Sequence, residues 1–334
     1  MLHIVNGEST AGTLRQSTIE GEKISFRDAL ICGPTPSEVS ADQWHRIRAL
    51  HLSDYYGVDL GSCKKDLLEQ ERILQSYPIH EEIVLWFEYD LFCQVNLLYL
   101  LNWFAQVQLD HTQLSLINVG AFPGKEKFRG LGELSAAELA SLFPARQRLT
   151  NTELDLGSSA WQAYRSTDPT AIERLLETDL TPLPFLRTSF QAHLQRFPSL
   201  QNGLGRIENK SLELINRGLH RFVDLFPKFG ESEHIYGLGD FQFWISLKRL
   251  AQVSTPLVSV NGNGGIGKLN SDVLREIDFE ITDTGRAVLS QEADFVRLNG
   301  IDHWLGGVHL AGRGKLWRWD SVSEALVRER RSMA

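Results

Sequence analysis

The chain contains 334 residues, of which 42% are hydrophobic and 23% are charged. It is therefore long enough for two or three domains with apolar cores, and its composition excludes a disordered or fibrous protein. Lysine and arginine total 34 against 42 for aspartate and glutamate, which gives a net charge of -8 and argues against a protein that mainly coats nucleic acid.

The cysteines and the N-terminus both predict a cytoplasmic protein. The three cysteines form no CxxC pair and no zinc-binding spacing, so we expect free, buried and unreactive thiols in a reducing compartment. Met1 leads directly into an apolar segment without a basic region before it, so no signal peptide is predicted. We expect no membrane partner.

Residues 1–134 are predicted to form an α/β domain, Rossmann-like or flavodoxin-like. Apolar strand-length segments at 2–5, 23–26, 82–87 and 114–119 alternate with helical patterns at 9–17, 41–76 and 91–107. The last helix is interrupted by polar residues and is shorter than the ~20 apolar residues that a bilayer crossing requires, so we expect it to be buried. A strand, a long helix and a second apolar strand predict a right-handed crossover in a doubly wound, mostly parallel sheet.

The rest of the chain is predicted to contain a helical connecting segment at 135–198 and a winged-helix-like α+β domain at 199–334. The winged-helix-like domain is predicted from helical patterns at 205–217, 219–226 and 241–252, followed by short strands at 256–260 and 279–282. This part carries equal numbers of basic and acidic residues. Nucleic acid is therefore a partner that we consider but do not favour.

The first candidate site follows the first strand, where Asn6, Gly7, Ser9 and Thr10 lead into a helix. In open α/β sheets, ligands bind beyond the carboxyl ends of the strands, and the N–H groups at a helix N-terminus suit a phosphate or a carboxylate. The alternative is structural, with Ser9 as the helix N-cap and Gly7 as a turn residue.

The second candidate site follows the apolar strand at 82–87 and contains Glu88, Asp90 and Gln94. Carboxylates at this position could orient a hydroxyl group, bind a metal or act as a general base. In the structural alternative, Asp90 caps the next helix, Glu88 points into solvent and Gln94 lies on the helix surface. Strands one and three of a doubly wound sheet often lie side by side, which predicts that this cluster is near Ser9.

Further candidates lie at other strand ends and in the C-terminal part. Arg27 follows the second strand and Asn118 lies near the end of the fourth, so both could line the same crevice. Asp302 and His303, beside a tryptophan and two glycines, could hold a sugar or a base, or form an ordinary hairpin. Residues 262–267 match GxGxxG, but too few residues follow them for the helix that a dinucleotide site needs.

Three blocks, at residues 2–10, 84–94 and 298–310, together resemble the bacterial family named for domain of unknown function 1835. The resemblance covers nearly the whole chain. Tyr89 stands where family members commonly have histidine, and Glu8 where aspartate is common. The resemblance implies the architecture and no established activity.

The sequence therefore predicts a protein that binds a small anionic or phosphorylated, nucleotide-like metabolite in the N-terminal crevice, with no cofactor identified. If it is an enzyme, a transferase or hydrolase fits best, with Asp90, Glu88 and His3 as catalytic candidates and Arg27 offsetting charge. Asp90 or Glu88 could instead hold Mg²⁺, although no motif dedicated to metal binding is present. The alternative is a metabolite-sensing transcription regulator with a DNA-binding C-terminal module.

Overall fold

The computed structural model describes residues 1–261, 274 and 276–329. The chain folds as two compact units. The first contains Met1–Phe190 together with Gly306–Val308, and the second contains Gln191–Leu305 together with the described residues from His309 onward. The helices of residues 136–190, which the sequence predicts as part of a connecting segment, belong to the first unit. The GxGxxG motif at 262–267 lies outside the described residues.

The first unit is built on a five-stranded sheet with the strand order β2-β1-β3-β4-β5, in which the first four strands are parallel and β5 is antiparallel to β4. This confirms the predicted doubly wound, mostly parallel sheet. All seven residues of β3 are buried, as expected for a strand that helices cover on both faces. The strands are β1 Leu2–Asn6, β2 Glu22–Phe26, β3 Glu82–Glu88, β4 Gln113–Val119 and β5 Gln147–Arg148.

Helices pack on both faces of this sheet. The side chains of Val5, Trp86 and Ile117 form one core with α1 and α5, while α4 lies on the opposite face and packs against α6. A Cβ atom at residue 157 of α6 would lie 2.5 Å from Cβ of Leu101, so the close approach of these two helices requires glycine. The helices are α1 Glu8–Arg15, α2 Ala41–Tyr56, α3 Leu60–Gln75, α4 Leu91–Phe104, α5 Ala136–Leu142, α6 Asn151–Tyr164 and α7 Thr170–Leu176. The next helix, α8 Leu186–Leu194, begins in the first unit and ends in the second.

The second unit combines helices with two-stranded sheets around an aromatic core that includes Phe222, Phe243 and Trp244. Its helices are α9 Arg206–Asn216, α10 Phe222–Ser232, α11 Asp240–Ala251, α12 Asp283–Leu289 and α13 Phe295–Asn299. The strand pairs in the C-terminal part of the chain are β6 Val258–Asn261 with β7 Asp278–Ile281, β8 Ile301–Leu305 with β9 Val308–Gly312, and β10 Trp317–Asp320 with β11 Ala325–Arg328.

The predicted burial of the apolar helix after β3 is confirmed. Most residues of α4 are buried, including its polar residues Gln94, Asn96 and Asn102. Among the described residues, none of the helices combines the length and the apolar character that crossing a bilayer requires.

Candidate functional site

The carboxyl ends of β1, β3 and β4 form the candidate site. β1 and β3 lie side by side in the sheet. β2 lies on the other side of β1, and β4 lies on the other side of β3. The strand order therefore reverses between them, and this is where open α/β sheets bind ligands. Asn6 ends β1, Glu88 ends β3 and Asn118 lies one residue before the end of β4.

The N-terminus of α1 opens onto this edge of the sheet. Its N-cap is Gly7, not Ser9, and no side chain caps the helix. Gly7 has a φ of 95°, which side-chain-bearing residues rarely adopt, so glycine is required at this turn. Gly7, Glu8 and Ser9 are exposed, whereas Thr10 is buried. The N–H groups of the first turn of α1 can therefore reach a ligand oxygen.

Glu88, Asp90 and Cys93 form a buried cluster where β3 ends and α4 begins. The Cys93 thiol lies 2.5 Å from Oε2 of Glu88, and Oδ1 of Asp90 accepts a 2.9 Å hydrogen bond from the Cys93 N–H as the N-cap of α4. The structural alternative, in which Glu88 points into solvent, is therefore wrong, because Glu88 lies inside the protein. Each of the three residues offers one potential metal-ligand atom, and these atoms lie within 4.8 Å of one another.

The electrostatics of this cluster favour a bound proton. Burial, followed by the negative charge of Asp90, raises the pKa of Glu88 to about 7. Burial raises the pKa of Asp90 to about 6 and also raises that of the Cys93 thiol. A buried acid with a pKa near neutrality can donate or accept a proton under ordinary conditions, which is the property of a general acid or base.

A chain of amide side chains connects the strand ends. Asn96 of α4 donates a 2.8 Å hydrogen bond to Oδ1 of Asn6, and Nδ2 of Asn6 lies 2.8 Å from the sulfur of Cys93. Asn96 also donates to the backbone carbonyl of Asp28, in the loop that follows β2. These bonds fix the orientation of the Asn6 amide at the end of β1.

Two further amides leave hydrogen-bonding groups unused. Nε2 of Gln94 donates to the Glu88 carbonyl at 2.7 Å and to Oδ1 of Asn118 at 3.1 Å. Oε1 of Gln94 and Nδ2 of Asn118 are buried and have no hydrogen-bond partner in the described part of the chain. A buried acceptor and a buried donor without partners are costly, and native proteins rarely contain them without a reason.

Charged side chains lie beside the α1 turn on the β2 side. Arg27 is exposed and lies 3.6 Å from Glu8 and 3.9 Å from Asp66. Glu8 also accepts hydrogen bonds from Arg15 at 2.7 Å and from Ser25 at 2.5 Å. Hydrogen bonds from Ser25 and then Arg15 lower the pKa of Glu8. The negative charge of Glu8 at the helix N-terminus is therefore compensated.

The segment of residues 120–134 closes the site. The Leu131 N–H donates a 2.7 Å hydrogen bond to Oε1 of Glu88. Gly130 has a φ of 139°, and a Cβ atom there would lie 2.9 Å from the same carboxylate oxygen. The hydroxyl of Tyr89 reaches the Phe128 carbonyl at 3.4 Å. This closing segment thus seals Glu88 from solvent.

The structure places His3 apart from these residues. His3 and Asn6 are three positions apart in β1, so their side chains lie on opposite faces of the sheet. Nδ1 of His3 accepts a 3.1 Å hydrogen bond from the Trp86 indole, and Nε2 lies 2.9 Å from the Glu20 carbonyl. Burial lowers the pKa of His3 to about 4. His3 is a neutral, fully bonded core residue.

Asp302 and His303 belong to the second unit. Oδ1 of Asp302 lies 2.7 Å from Nε2 of His309, and the His309 ring stacks on Trp304 with 4.4 Å between centroids. Nε2 of His303 lies 3.3 Å from a guanidinium nitrogen of Arg249. Both predicted residues therefore have partners within their own unit.

Three contributors to the site were not predicted from the sequence: the side chains of Cys93 and Asn96 and the Leu131 N–H. The prediction that Cys93 is a free, buried thiol is confirmed, and this thiol also hydrogen-bonds to Glu88. The contact between the Cys93 N–H and Asp90 could have been found, because an N-cap aspartate accepts a hydrogen bond from the backbone N–H of the second or third residue of its helix. Asn96 is a polar residue in an apolar helix, which indicates a buried hydrogen-bonding role.

Comparisons with known proteins do not identify a relative. No protein-family model matches the chain, and no curated protein matches it. The resemblance to the family named for domain of unknown function 1835 therefore stays a prediction.

Proposed function

We propose that the first unit binds a small anionic or phosphorylated, nucleotide-like metabolite at the carboxyl ends of β1, β3 and β4. The observation that carries this proposal is a pair of buried groups, Oε1 of Gln94 and Nδ2 of Asn118, which have no hydrogen-bond partner among the described residues. They lie at the carboxyl ends of β3 and β4, one strand away from the point between β1 and β3 where the strand order reverses. A ligand with a polar edge would supply the two missing hydrogen bonds.

The neighbouring groups suit the negative end of such a ligand. The N–H groups of the first turn of α1, next to Gly7, would hold phosphate oxygens, and the exposed Ser9 hydroxyl would add one donor. Arg27 would exchange its exposed ion pair with Glu8 for one with the ligand and so offset the ligand's negative charge. The loss of the Glu8 pair would cost little, because exposed ion pairs contribute little to the stability of the fold.

Chemistry at this site would use Glu88. Its raised pKa allows the carboxyl group to move a proton during a transfer or hydrolysis reaction. Asp90 is fixed as the N-cap of α4, so it would position Cys93 and modulate the charge of Glu88. The closing segment of residues 120–134 must open for entry, and Gly124 and Gly130, both with positive φ, are its conformationally permissive positions.

A thermal-shift screen of inorganic phosphate, AMP, ADP and ribose 5-phosphate tests the proposal. A ligand at 100 times its Kd stabilises the fold by about 2.7 kcal/mol, which is a shift of several degrees. We expect Arg27→Gln to weaken binding of the hit about tenfold, because the variant loses a hydrogen bond between two charged groups and such bonds contribute strongly to the binding free energy. Arg15→Gln, at the far end of α1 and paired with the same Glu8, is the matched control and should bind like wild type. Equal weakening by both variants would contradict the proposed location.

A DNA-binding role for the second unit is the alternative proposal. Three helices, α9, α10 and α11, precede the β6–β7 pair, and Arg221 forms an additional bridge with Asp278 of β7. This is the order of elements expected of a winged helix, whose third helix would enter the major groove. In α11, Arg249 is paired with Glu208 at 3.0 Å. Fluorescence anisotropy of a labelled duplex at low salt, repeated with Lys248→Gln, tests this alternative.

A further inference from the structure

The second unit contains a polar cavity of about 220 Å³, remote in sequence from the candidate site. It lies between the end of α8, the turn at residues 199–204, the beginning of α9 and the β10–β11 hairpin. We call it the polar pocket. The side chains that matter most for its chemistry are Gln195, Asn202, Asn209, Trp319 and Ser321.

Backbone hydrogen bonds join the walls of the polar pocket to one another. The Leu200 N–H donates to the Trp319 carbonyl at 2.9 Å, and the Trp319 N–H donates to the Pro198 carbonyl at 2.9 Å. The Arg206 N–H donates to the Gln195 carbonyl at 2.8 Å. Because these walls are fixed before a ligand arrives, binding would not have to order them.

Side chains that both donate and accept hydrogen bonds dominate the lining. Asn202 is 5% exposed, and its amide is held by Asn209 at 2.8 Å and by the Leu204 N–H at 3.1 Å. Gln201 and Ser321, which bond each other at 3.2 Å, form an exposed rim. Such a lining matches a ligand that carries several hydroxyl groups, because each hydroxyl can both donate and accept a hydrogen bond.

Charge in the lining disfavours an anion. The lining contains one arginine, Arg206, and one carboxylate, Glu324. The guanidinium of Arg206 is already bound to Glu233, with its shortest contact at 2.6 Å. Among the described residues that line the pocket, no cation is therefore left uncompensated to attract a phosphate.

We propose that the polar pocket binds a neutral polyhydroxylated molecule of the size of one monosaccharide, with a sugar face on the half-buried Trp319 ring and its hydroxyls on the surrounding amides. The cavity is smaller than the ~300–1,000 Å³ that is typical of drug-sized ligands, which fits a small ligand. This site is independent of the anion site proposed for the first unit.

Titration calorimetry and ligand-observed NMR with the full chain test this inference. The probes are the neutral molecules D-glucose, D-galactose, N-acetyl-D-glucosamine and myo-inositol. We expect saturable binding of at least one neutral probe with a Kd of about 1 mM or lower. Absence of binding by every neutral probe would overturn the proposal.

Variants of Trp319 and its neighbours locate the binding. Trp319→Ala should weaken binding at least tenfold, whereas Trp317→Ala, which removes a tryptophan of the same strand that does not line the pocket, should leave the Kd within about twofold. Gln201→Ala with Ser321→Ala removes only exposed groups, so the fold is retained, and binding should weaken about threefold to tenfold. Unchanged binding in the folded rim variant, or equal losses in both tryptophan variants, would refute the assignment.

Discussion

Replacing Arg48 with methionine is expected to lower the free energy of unfolding by about 3–5 kcal/mol, because it leaves Asp28 charged and buried without its partner. Arg48 is fully buried in α2, and its guanidinium lies 2.6 Å from Asp28. It also donates to the carbonyls of Cys32 at 2.8 Å and Ala29 at 3.0 Å. The measurement is urea denaturation followed by circular dichroism.

Arg46→Met is the matched control for this prediction. Arg46 lies two residues earlier in the same helix and is exposed, so its loss should change the unfolding free energy by less than about 0.5 kcal/mol. Similar stability losses in the two variants would contradict the role given to the buried ion pair. Since Asn96 also donates to the Asp28 carbonyl, the loop that Arg48 anchors is directly connected to the candidate site.

Glu88→Gln is expected to make the protein more stable than wild type at pH 8. The pKa of Glu88 is about 7 in the folded protein, above its ordinary value of 4.5. As the pH rises from 4.5 to 7, the unfolded state ionises first, so the wild type loses stability across this window. Glutamine does not titrate. The unfolding free energy of the variant, minus that of the wild type, should therefore increase by about 2–3 kcal/mol as the pH rises from 5 to 8.

Glu82→Gln provides a control of opposite sign at the other end of β3. Although Glu82 is also buried, its ion pair with Arg146 at 2.8 Å and its hydrogen bond from Ser115 keep its pKa below the ordinary value. Stability from this pair is present above pH 4.5 and is lost below it. Glu82→Gln should therefore destabilise the protein at pH 8. A destabilising effect of Glu88→Gln that does not vary with pH would contradict the proton assigned to the cluster.

The sequence predicted the sheet well because its parallel strands are buried on both faces. Such strands are nearly continuous apolar segments, and the segments around Val84 and Leu116 correspond to β3 and β4. Polar residues directly after them, such as Glu88 and Asp90, were correctly placed at one edge of the sheet. The position of these residues follows from the order and direction of the strands alone.

The errors in the site arose from side-chain direction and from contacts distant in sequence. The sequence predicts His3 as a catalytic candidate in the crevice that Asn6 also lines, but the alternation of a strand places these two side chains on opposite faces of the sheet. The bond from the Leu131 N–H to Glu88 joins residues 43 positions apart, and Leu131 begins a short 3-10 helix, Leu131–Glu133. Local periodicity contains no information about such a contact.

The chemical shifts of the amide groups, recorded while the phosphorylated hit or sodium phosphate is added, test the proposed anion site. We expect the largest changes, which should saturate, at the backbone N–H groups of residues 7–10 and at the side-chain amides of Gln94 and Asn118. Smaller changes are expected in the closing segment of residues 120–134. Saturation of the protein without changes at residues 7–10, Gln94 and Asn118 would contradict an anion site at the carboxyl ends of β1, β3 and β4.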